Sequence, residues 1–457
     1  MGASLLSVVS TKSRIRHGRL GVALIVAFLL TMIGTAHADI LYTFGFSPRG
    51  MGMGNAMTAI ADDWAAPFYN PAGTAFQTQP SVGFGYFIGD SSINAIGIDE
   101  ISLGATRGML YGANLPLPFR DGIFKDRLAF GFAGFMPEGM LIRMGVDAPT
   151  DPTLILLGNA NRSSVMIPTL GVKITEGLAI GGGVQSFVDT KGEIYAYIDP
   201  SGAVQTKVGE ELVMVYFPIA SVLFRPGKHW DSMRGWGFGF VYRDQQYTDY
   251  LIPISAALGD IPFIVSFAAK SLFLPRQYIG AVSYDGGRWR VEADVAFNEW
   301  SEFPDPHLII KNDVSIPIIP IEFTDSVAHP PKFHDTVTGK AGAEFDIYRH
   351  ADVDMFLRGG YQIDPSPVPP QTGYTNQLDS DRHVGALSYG LTWKGVGDFR
   401  FNAPIKIDTV GQVQYLTRRV SYKNDDVDPS NPGYPKIGME GWLYSFGLSL
   451  STQFDYE

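Results

Sequence analysis

Three glycines near the start of the sequence have a spacing that could bind phosphate. They are Gly50, Gly52 and Gly54, at the head of the stretch RGMGMGNAMTAIADDWAAPFYNPAGTAF, which runs from Arg49 to Phe76. A dinucleotide-binding loop needs G-x-G-x-x-G between a strand and a helix of a βαβ unit. The spacing here is G-x-G-x-G, and all-β patterns follow it. The glycines therefore predict close approach of the backbone to a neighbouring surface instead of phosphate binding.

Acid–base, nucleophilic and metal chemistry find little support elsewhere in the sequence. Asp379, Asp381, Arg382 and His383 could form an acid–base cluster, but a salt-bridged structural network uses the same residue types. The eight histidines form no H-x-H or H-x-x-x-H pair, and there is no cysteine, so we predict no metal site, no cofactor and no disulfide framework. No G-x-S-x-G motif marks a serine nucleophile. The sequence predicts that the chain is not an enzyme, and a lipid-modifying enzyme stays an alternative that a lipid-hydrolysis assay would reveal.

The first 38 residues have the pattern of a secretory signal peptide. Lys12, Arg14, Arg16 and Arg19 precede an apolar stretch that ends in Ala36-His37-Ala38, an A-x-A cleavage site. Cleavage there would start the mature chain at Asp39 and take the net charge from -11 to -15. An exported, acidic chain is a poor partner for nucleic acid, whose phosphates require lysine and arginine.

Composition favours a membrane β-barrel. Charged residues make up 18% of the chain, against about 25% in soluble proteins, while aromatic residues reach 13%. After Ala38 no apolar run is long enough for a membrane helix. A closed β-barrel is the other structure that can span a bilayer, and a soluble periplasmic all-β protein is the alternative.

Residue alternation indicates which side of the strands faces lipid. In RWRVEADVAFNEW, Arg288 to Trp300, apolar side chains alternate with arginine, carboxylate and amide side chains. The last strand, from Gly441, places large apolar side chains on one face and glycine or serine on the other. Period-two order predicts strands, and aromatic residues at the ends of the apolar faces are typical of membrane girdles. We predict an all-β fold, a transmembrane antiparallel β-barrel of about 14 strands with a small N-terminal helical plug in its lumen.

The stretch before the first strand is predicted to form the plug, or hatch. A short helix is expected to start at Asn55, and Asn70 followed by Pro71 offers an N-cap with proline at the first helical position. Asp62 and Asp63 are expected to tether the hatch to the wall, and Gly73 to hold its turn. The predicted organisation is a signal peptide over 1–38, a hatch over 39–78 and a barrel over 79–457.

Four blocks of the sequence, in order, resemble the FadL-like outer-membrane transporters of long-chain fatty acids and aromatic hydrocarbons. The first is the glycine-rich stretch from Arg49, with its A-x-A-D-D and N-P-A cores. The second ends in W-S-x-F at Trp300, Ser301 and Phe303. The others are KFHDTVTGKAGAEF and the long block with S-P-V-P and D-x-D-R. They span Arg49 to Phe76, Leu274 to Phe303, Lys332 to Phe345 and Arg358 to Trp393.

The resemblance implies a monomeric, 14-stranded barrel with an N-terminal hatch. It also implies that a hydrophobic molecule lands on an extracellular groove, passes to an internal apolar pocket and leaves sideways through the wall. Two apolar stretches could form such a groove or could pack as ordinary loops, one beginning at Pro149 and one from Tyr250 to Pro275. Gly108, Gly112 and Pro116 mark one early strand as prone to kinking.

The resemblance also points to positions that bind a fatty-acid carboxylate in the family. They fall on or beside Tyr195 and His329, and the nearest permanent cations are Lys191 and Lys332. Because neither family position carries a permanent charge, neutral hydrocarbons remain possible substrates, and both lysines could equally be solvated turn residues.

The function predicted from the sequence is passive transport of hydrophobic small molecules across the bacterial outer membrane. The expected partners are a hydrophobic ligand, outer-membrane lipid and lipopolysaccharide, and the barrel-assembly machinery, with the chain a monomer. A general porin is a further alternative, and it predicts ion conductance and no plug.

Overall fold

A computed structural model of the protein describes residues 40–98, 105–119, 121–138, 142–143, 150–154, 156–157, 162–198, 204–258, 261–304, 309–313, 331–396 and 399–454. The signal peptide predicted over residues 1–38 lies outside the described residues. None of the described helices has the length and apolar character needed to cross a membrane.

Fourteen antiparallel strands form a closed ring. Each strand pairs with its neighbour in chain order, and the ring closes where the last strand pairs with the first, from Ser81–Gln453 to Ile96–Gly438. The strands are β1 Ser81–Ile96, β2 Thr106–Pro116, β3 Leu128–Pro137, β4 Val165–Thr175, β5 Leu178–Ile198, β6 Val204–Phe224, β7 Trp236–Arg243, β8 Arg276–Asp285, β9 Trp289–Glu299, β10 Thr336–Arg349, β11 Val353–Asp364, β12 Arg382–Val396, β13 Phe399–Tyr422 and β14 Lys436–Gln453. The predicted barrel and its strand number are confirmed.

The outer surface of the ring is apolar and its inner surface is polar, as the alternation predicted. On β14, Phe446 is 55% exposed while Ser449, on the opposite face, is 2% exposed. Exposed side chains on β9, β12 and β14 include Trp289, Val291, Val295, Phe297, Leu387, Tyr389, Trp393, Trp442, Tyr444, Leu448 and Leu450. Inward positions on the same strands hold Glu292, Asp294, Asn298, Ser388 and Ser445. An apolar exterior around a polar lumen is the arrangement of an outer-membrane barrel, and the predicted location is confirmed.

The connections differ in length between the two ends of the barrel. Residues 286–288 and 350–352 join strands at the end where β1 begins, whereas residues 138–164, 244–275, 300–335 and 365–381 join strands at the other end. Short turns face the periplasm and long loops face outward in such barrels. We therefore call the long-loop end extracellular.

The extracellular loops contain further strands. Gln246–Leu258 and Ile261–Leu274 form a hairpin that pairs in parallel with the outer end of β5, and Ile309–Asp313 pairs with the second hairpin strand. Ile142–Arg143 pairs with Arg162–Ser163, and Thr153–Leu154 pairs with Gln377–Leu378. Short 3-10 helices lie at Pro226–Lys228, Asp231–Met233 and Trp300–Glu302.

The apolar stretch beginning at Pro149 packs on a neighbouring loop where it is described. Leu154, Leu156 and Leu157 are buried, and Asn376 of the 365–381 loop donates a hydrogen bond to the Thr150 carbonyl at 2.6 Å. These leucines therefore do not form an exposed groove. In the stretch from Tyr250 to Pro275, Phe273 and Leu274 are buried, and a groove on the remainder stays a prediction.

Before β1, residues 40–78 form a chain of short helices, which we call the hatch segment. Its helices are α1 Ile40–Phe44, α2 Pro48–Gly52, α3 Ala66–Tyr69 and a 3-10 helix at Pro71–Phe76. The prediction of a helix starting at Asn55 is wrong. Gly54 and Asn55 have left-handed φ angles of 63° and 62°, and the residues that follow form turns.

Candidate functional site

The hatch segment lies inside the barrel, because it contacts strands all round the closed ring. Most of its side chains are buried. The wall residues that touch it include Gly83, Asn114, Gly171, Gly181, Ser221, Arg243, Glu292, Glu344, Gln362, Ser388 and Gln414. Its role as a movable plug stays a prediction.

Glycines allow the hatch segment to lie directly on the wall. A methyl group on Gly54 would come within 2.6 Å of the Tyr361 nitrogen, and one on Gly360 of β11 would come within 1.9 Å of the Gly54 nitrogen. A methyl group on Gly52 would come within 2.1 Å of the Ser388 side chain. Gly54 therefore allows backbone-to-backbone packing, and Gly52 allows a wall side chain to lie directly on the hatch segment.

The other predicted hatch glycines pack within the segment itself. A methyl group on Gly50 would meet the Tyr69 hydroxyl at 2.2 Å, and one on Gly73 would meet the Ala61 carbonyl oxygen at 2.2 Å. Both contacts join parts of the hatch segment that are distant in sequence. Gly50 and Gly73 thus allow its short helices to pack on one another.

Two carboxylates of β9 bind the backbone that was expected to be helical. Glu292 accepts hydrogen bonds from the Ala59 and Ile60 amides at 2.6 and 2.8 Å. Asp294 accepts one from the Thr58 hydroxyl at 2.7 Å. The wall thus supplies the acceptors for the Ala59 and Ile60 amides. Because these amides donate to Glu292, they do not form helical hydrogen bonds, and this explains why the helix prediction failed.

Buried ion pairs join the hatch segment to the wall. Arg49 contacts Asp62 at 2.5 Å and Asp63 at 3.0 Å within the segment, and Glu344 of β10 at 3.0 Å. Asp62 also contacts Arg290 of β9 at 2.6 Å. Burial would raise the pKa of Asp62, but the neighbouring guanidinium groups hold this pKa well below its ordinary value. Asp62 therefore stays ionised over the whole physiological pH range and keeps its ion pair with Arg290 of the wall.

Asp63 and Asn70 cap turns of the hatch segment. Asp63 accepts a hydrogen bond from the Ala65 amide at 2.9 Å. Asn70 is fully buried and accepts one from the Ala72 amide at 3.0 Å, so the expected N-cap before Pro71 is present. Its amide group also donates to the Thr58 carbonyl at 2.7 Å and the Val222 carbonyl of β6 at 3.2 Å.

A cavity lies between the hatch segment and the extracellular loops. Its floor comes from the hatch segment, its wall from strand ends near the loops, and its roof from loop residues. The floor includes Leu41, Tyr42, Asn55, Phe68 and Tyr69, the wall Arg243, Gln277, Asn298, Lys340, Gln362, Asp364 and Arg382, and the roof Leu156, Leu274 and Trp300.

An aromatic cluster lies next to the cavity roof. Phe303 stacks on Phe333 with ring centroids 4.4 Å apart and meets Phe273 edge-on at 5.0 Å. Leu156 and Val368 complete this cluster, and Trp300 packs against it. The extracellular mouth of the cavity is therefore covered by apolar side chains.

The cations around the cavity have partners in the structure. Arg382 forms an ion pair with Asp364. Arg243 donates to the Phe68 carbonyl and lies 5.0 Å from the Phe68 ring centroid. Lys340 lies opposite Asp294 in the register of β9 and β10. Arg382 is thus paired with a carboxylate, Arg243 with a carbonyl group and an aromatic ring, and Lys340 lies across the strand pair from a carboxylate.

The residues predicted to bind a carboxylate are not brought together at this cavity. Lys191 and Tyr195 lie on the outer half of β5, opposite Glu211 and Lys207 of β6. Lys332 is exposed beside β10 and has a left-handed φ of 54°. His329 lies outside the described residues. Their role in ligand binding stays a prediction.

Sequence reasoning missed Arg243 and Lys340 as cavity residues. Both occupy inward positions in strands whose outward positions are apolar, Phe238 and Phe240 on β7 and Val337 on β10. The alternation was therefore a sufficient signal, since a charged residue on the inward face of a barrel strand must line the lumen.

The residues that could have formed an acid–base cluster lie in a structural network instead. Arg382 pairs with Asp364, and Asp381 accepts a hydrogen bond from the Ser366 amide at 2.8 Å. Burial raises the pKa of Asp379 to about 6. Within the described ranges, no three histidine or carboxylate side chains are arranged to hold a metal ion.

These features define a class of protein. A closed ring of 14 antiparallel strands, an apolar exterior and an N-terminal segment folded into the lumen constitute the fold of the FadL-like outer-membrane transporters. The resemblance predicted from the four sequence blocks is confirmed.

Individual relatives agree with this class. The chain is 20% identical to alkane uptake protein A of Marinobacter nauticus, over 99% of each chain. The crystal structure of a Pseudomonas aeruginosa FadL homologue has a TM-score of 0.56 and 16% identity, covering 89% of this chain and 98% of the other. The Pseudomonas putida toluene transporter TodX has a TM-score of 0.52 and 14% identity, with the same coverage. No protein-family model matches the chain. These relatives are named as uptake and transport proteins, and the prediction that the chain is not an enzyme agrees with them.

Proposed function

We propose that the protein is a passive outer-membrane channel for hydrophobic small molecules, with hydrocarbons as the first substrate class and long-chain fatty acids as the second. The observation that carries the proposal is the position of the hatch segment, which lies inside the lumen and is tied to the wall by Glu292, Glu344 and Arg290. A segment in this position obstructs the water-filled pore that a general porin needs. A hydrophobic ligand does not need such a pore, because it can move between apolar pockets.

The proposed route runs from the extracellular loops to the cavity and then sideways into the membrane when the hatch segment shifts. Each methylene removed from water is stabilised by about 0.8 kcal/mol. A sideways exit keeps this stabilisation, because the molecule passes from protein to lipid without returning to water.

Two features bear on the substrate class. The cations Arg243 and Arg382 are already partnered, which supports a neutral hydrocarbon, and the names of the alkane and toluene relatives point the same way. Lys340 supports the second candidate, since its ammonium group borders the cavity and could meet a carboxylate.

Uptake can be measured in a host that lacks its own channel of this kind. We expect cells with the full chain to take up radiolabelled hexadecane or toluene faster than cells with an empty vector, and palmitate uptake would test the second candidate. A general porin would instead pass small sugars and ions freely. If none of the three hydrophobic probes enters faster than in the control, the proposed function is wrong.

Replacing Asn70 with alanine tests the hatch. Loss of the cap and of two carbonyl contacts should destabilise the 3-10 turn by about 0.5–2 kcal/mol, change hydrocarbon uptake and leave the barrel assembled. Assembly is checked by the heat-dependent shift of the barrel on a gel. Asn94→Ala is the matched control, because Asn94 is exposed and bonds only Glu440 on the barrel exterior among the contacts described. Uptake of hydrophobic probes equal to wild type in Asn70→Ala would contradict the hatch role.

A further inference from the structure

The barrel wall lacks side chains at one level of β5. Gly181, Gly182 and Gly183 are consecutive, so neither face of the strand carries a side chain there. On the inner face, a methyl group on Gly181 would come within 2.2 Å of the Ala72 nitrogen of the hatch segment. On the outer face, a methyl group on Gly182 would meet only the Ile219 carbonyl oxygen, at 3.4 Å. At this level, only backbone separates the hatch segment from lipid.

A proline weakens the hydrogen bonding beside these glycines. Pro168 lies in β4 where the pairing with β5 is interrupted, between Met166–Ser186 and Thr169–Gly183. Proline has no N–H to donate, and a proline inside a paired strand removes a bond from the ladder. Within a membrane, a strand depends on such bonds because lipid offers no replacement.

The hatch segment covers this part of the wall from inside. Its Pro71–Phe76 helix follows Asn70, whose side chain bonds the Val222 carbonyl of β6, and the Ala72 amide donates to the Ser221 hydroxyl at 2.9 Å. A shift of this one helix would uncover the glycines. By contrast, β2, which the sequence marked as prone to kinking, is paired continuously with β1 from Thr106 to Asn114 and with β3 from Gly108 to Pro116.

We propose that the wall between β4 and β5, centred on Gly181–Val184, is the portal through which the ligand leaves the lumen for the membrane. The portal begins three residues from the periplasmic end of β5, about 10 Å along the strand, so the ligand enters the inner, phospholipid leaflet of the outer membrane. The proposal rests on the proposed function and assigns a position to its sideways exit.

A reversible cross-link tests the portal. Leu170 of β4 and Gly182 of β5 are paired in the strand register, and the natural chain has no cysteine, so the double variant Leu170→Cys/Gly182→Cys can form one defined disulfide. The matched control is Ile407→Cys/Leu450→Cys, a paired position on β13 and β14. Each protein is assayed with radiolabelled hexadecane and toluene, oxidised and then reduced, with disulfide formation verified by mass spectrometry.

Oxidation of the β4–β5 pair is expected to slow uptake at least about ten-fold, since the closed gate would limit the rate. Reduction should restore uptake, and the control should be unaffected in both states. Normal uptake with the disulfide fully formed would overturn the portal.

A second variant keeps the proposal testable if the double variant does not fold. Pro168→Val supplies the missing N–H to the ladder and should slow uptake several-fold, and uptake equal to wild type would again overturn the portal. A wild-type chain that takes up neither probe refutes the proposed function itself. Uptake by wild type that the disulfide does not change refutes only the portal.

Discussion

Replacing Arg358 with alanine is expected to lower the free energy of unfolding by about 3–5 kcal/mol, because it leaves buried carboxylates without their counter-ion. Arg358 of β11 has no exposed surface and contacts Glu344 at 2.6 Å and Asp408 at 2.7 Å. Glu344 keeps Arg49 as a partner at 3.0 Å. Asp408 keeps only a distant contact to Lys406 at 4.0 Å among the ion pairs described. Most of the loss should therefore arise at Asp408.

The measurement is urea unfolding of the protein in lipid vesicles, followed by tryptophan fluorescence. Glu176→Ala is the matched control, since Glu176 is 77% exposed and its ion pair to Lys173 lies just beyond the end of β4. An exposed ion pair contributes about 0–1 kcal/mol. Equal unfolding curves for the two variants would show that the network in the lumen is not a source of barrel stability.

The barrel could be predicted from the sequence because its signal is local. Trp442 and Leu448 on one face of β14 and Ser445 and Ser449 on the other follow the period of two that every strand must have. Because lipid surrounds the barrel, the apolar face of each strand must point outward and the polar face must point into the lumen. The same logic could have placed Arg243 and Lys340 in the lumen. Short local motifs were also readable, and the Asn70 cap before Pro71 is one of them.

The contacts of the hatch segment could not be predicted, since they join distant parts of the chain. Arg49 and Glu344 are 295 positions apart, and Ala59 and Glu292 are 233 apart. No periodicity links such pairs. The helix expected at Asn55 failed for the same reason, because local propensity for Ala56 to Ile60 took no account of acceptors that β9 brings to these amides.

The same long-range contacts decide which side chains line the cavity, and the residues predicted to bind a carboxylate are not among the lining residues described. Tyr195 and His329 were chosen by their positions along a family pattern, whereas the cavity lining is set by which inward side chains lie at the level of α1 and α3. Arg243 reaches the Phe68 carbonyl at that level. The chemistry of the cavity thus depends on where the hatch segment lies in the lumen. Glu292 is one of the wall residues that hold the segment in this position.

Replacing Glu292 with alanine should release the centre of the hatch segment. The carboxylate accepts two consecutive amides, those of Ala59 and Ile60, and each buried donor left without an acceptor costs about 1–3 kcal/mol. We expect these two amides to exchange hydrogen about 10–100-fold faster than in wild type, and ion conductance through the barrel to rise as the seal loosens. Hydrogen exchange by mass spectrometry on peptides covering residues 57–62, and planar-bilayer recording, measure the two effects.

Two further variants separate the possible causes. Glu299→Ala is the matched control, since Glu299 lies on the same strand and pairs with Arg276 at its extracellular end, at 2.7 Å. It should leave exchange in residues 57–62 unchanged. Glu292→Gln keeps one of the two oxygen acceptors, and it should give an intermediate rate if hydrogen bonding holds the backbone. A rate in Glu292→Gln as high as in Glu292→Ala would show that both acceptors are needed, and wild-type rates in both variants would remove Glu292 from the attachment of the hatch segment.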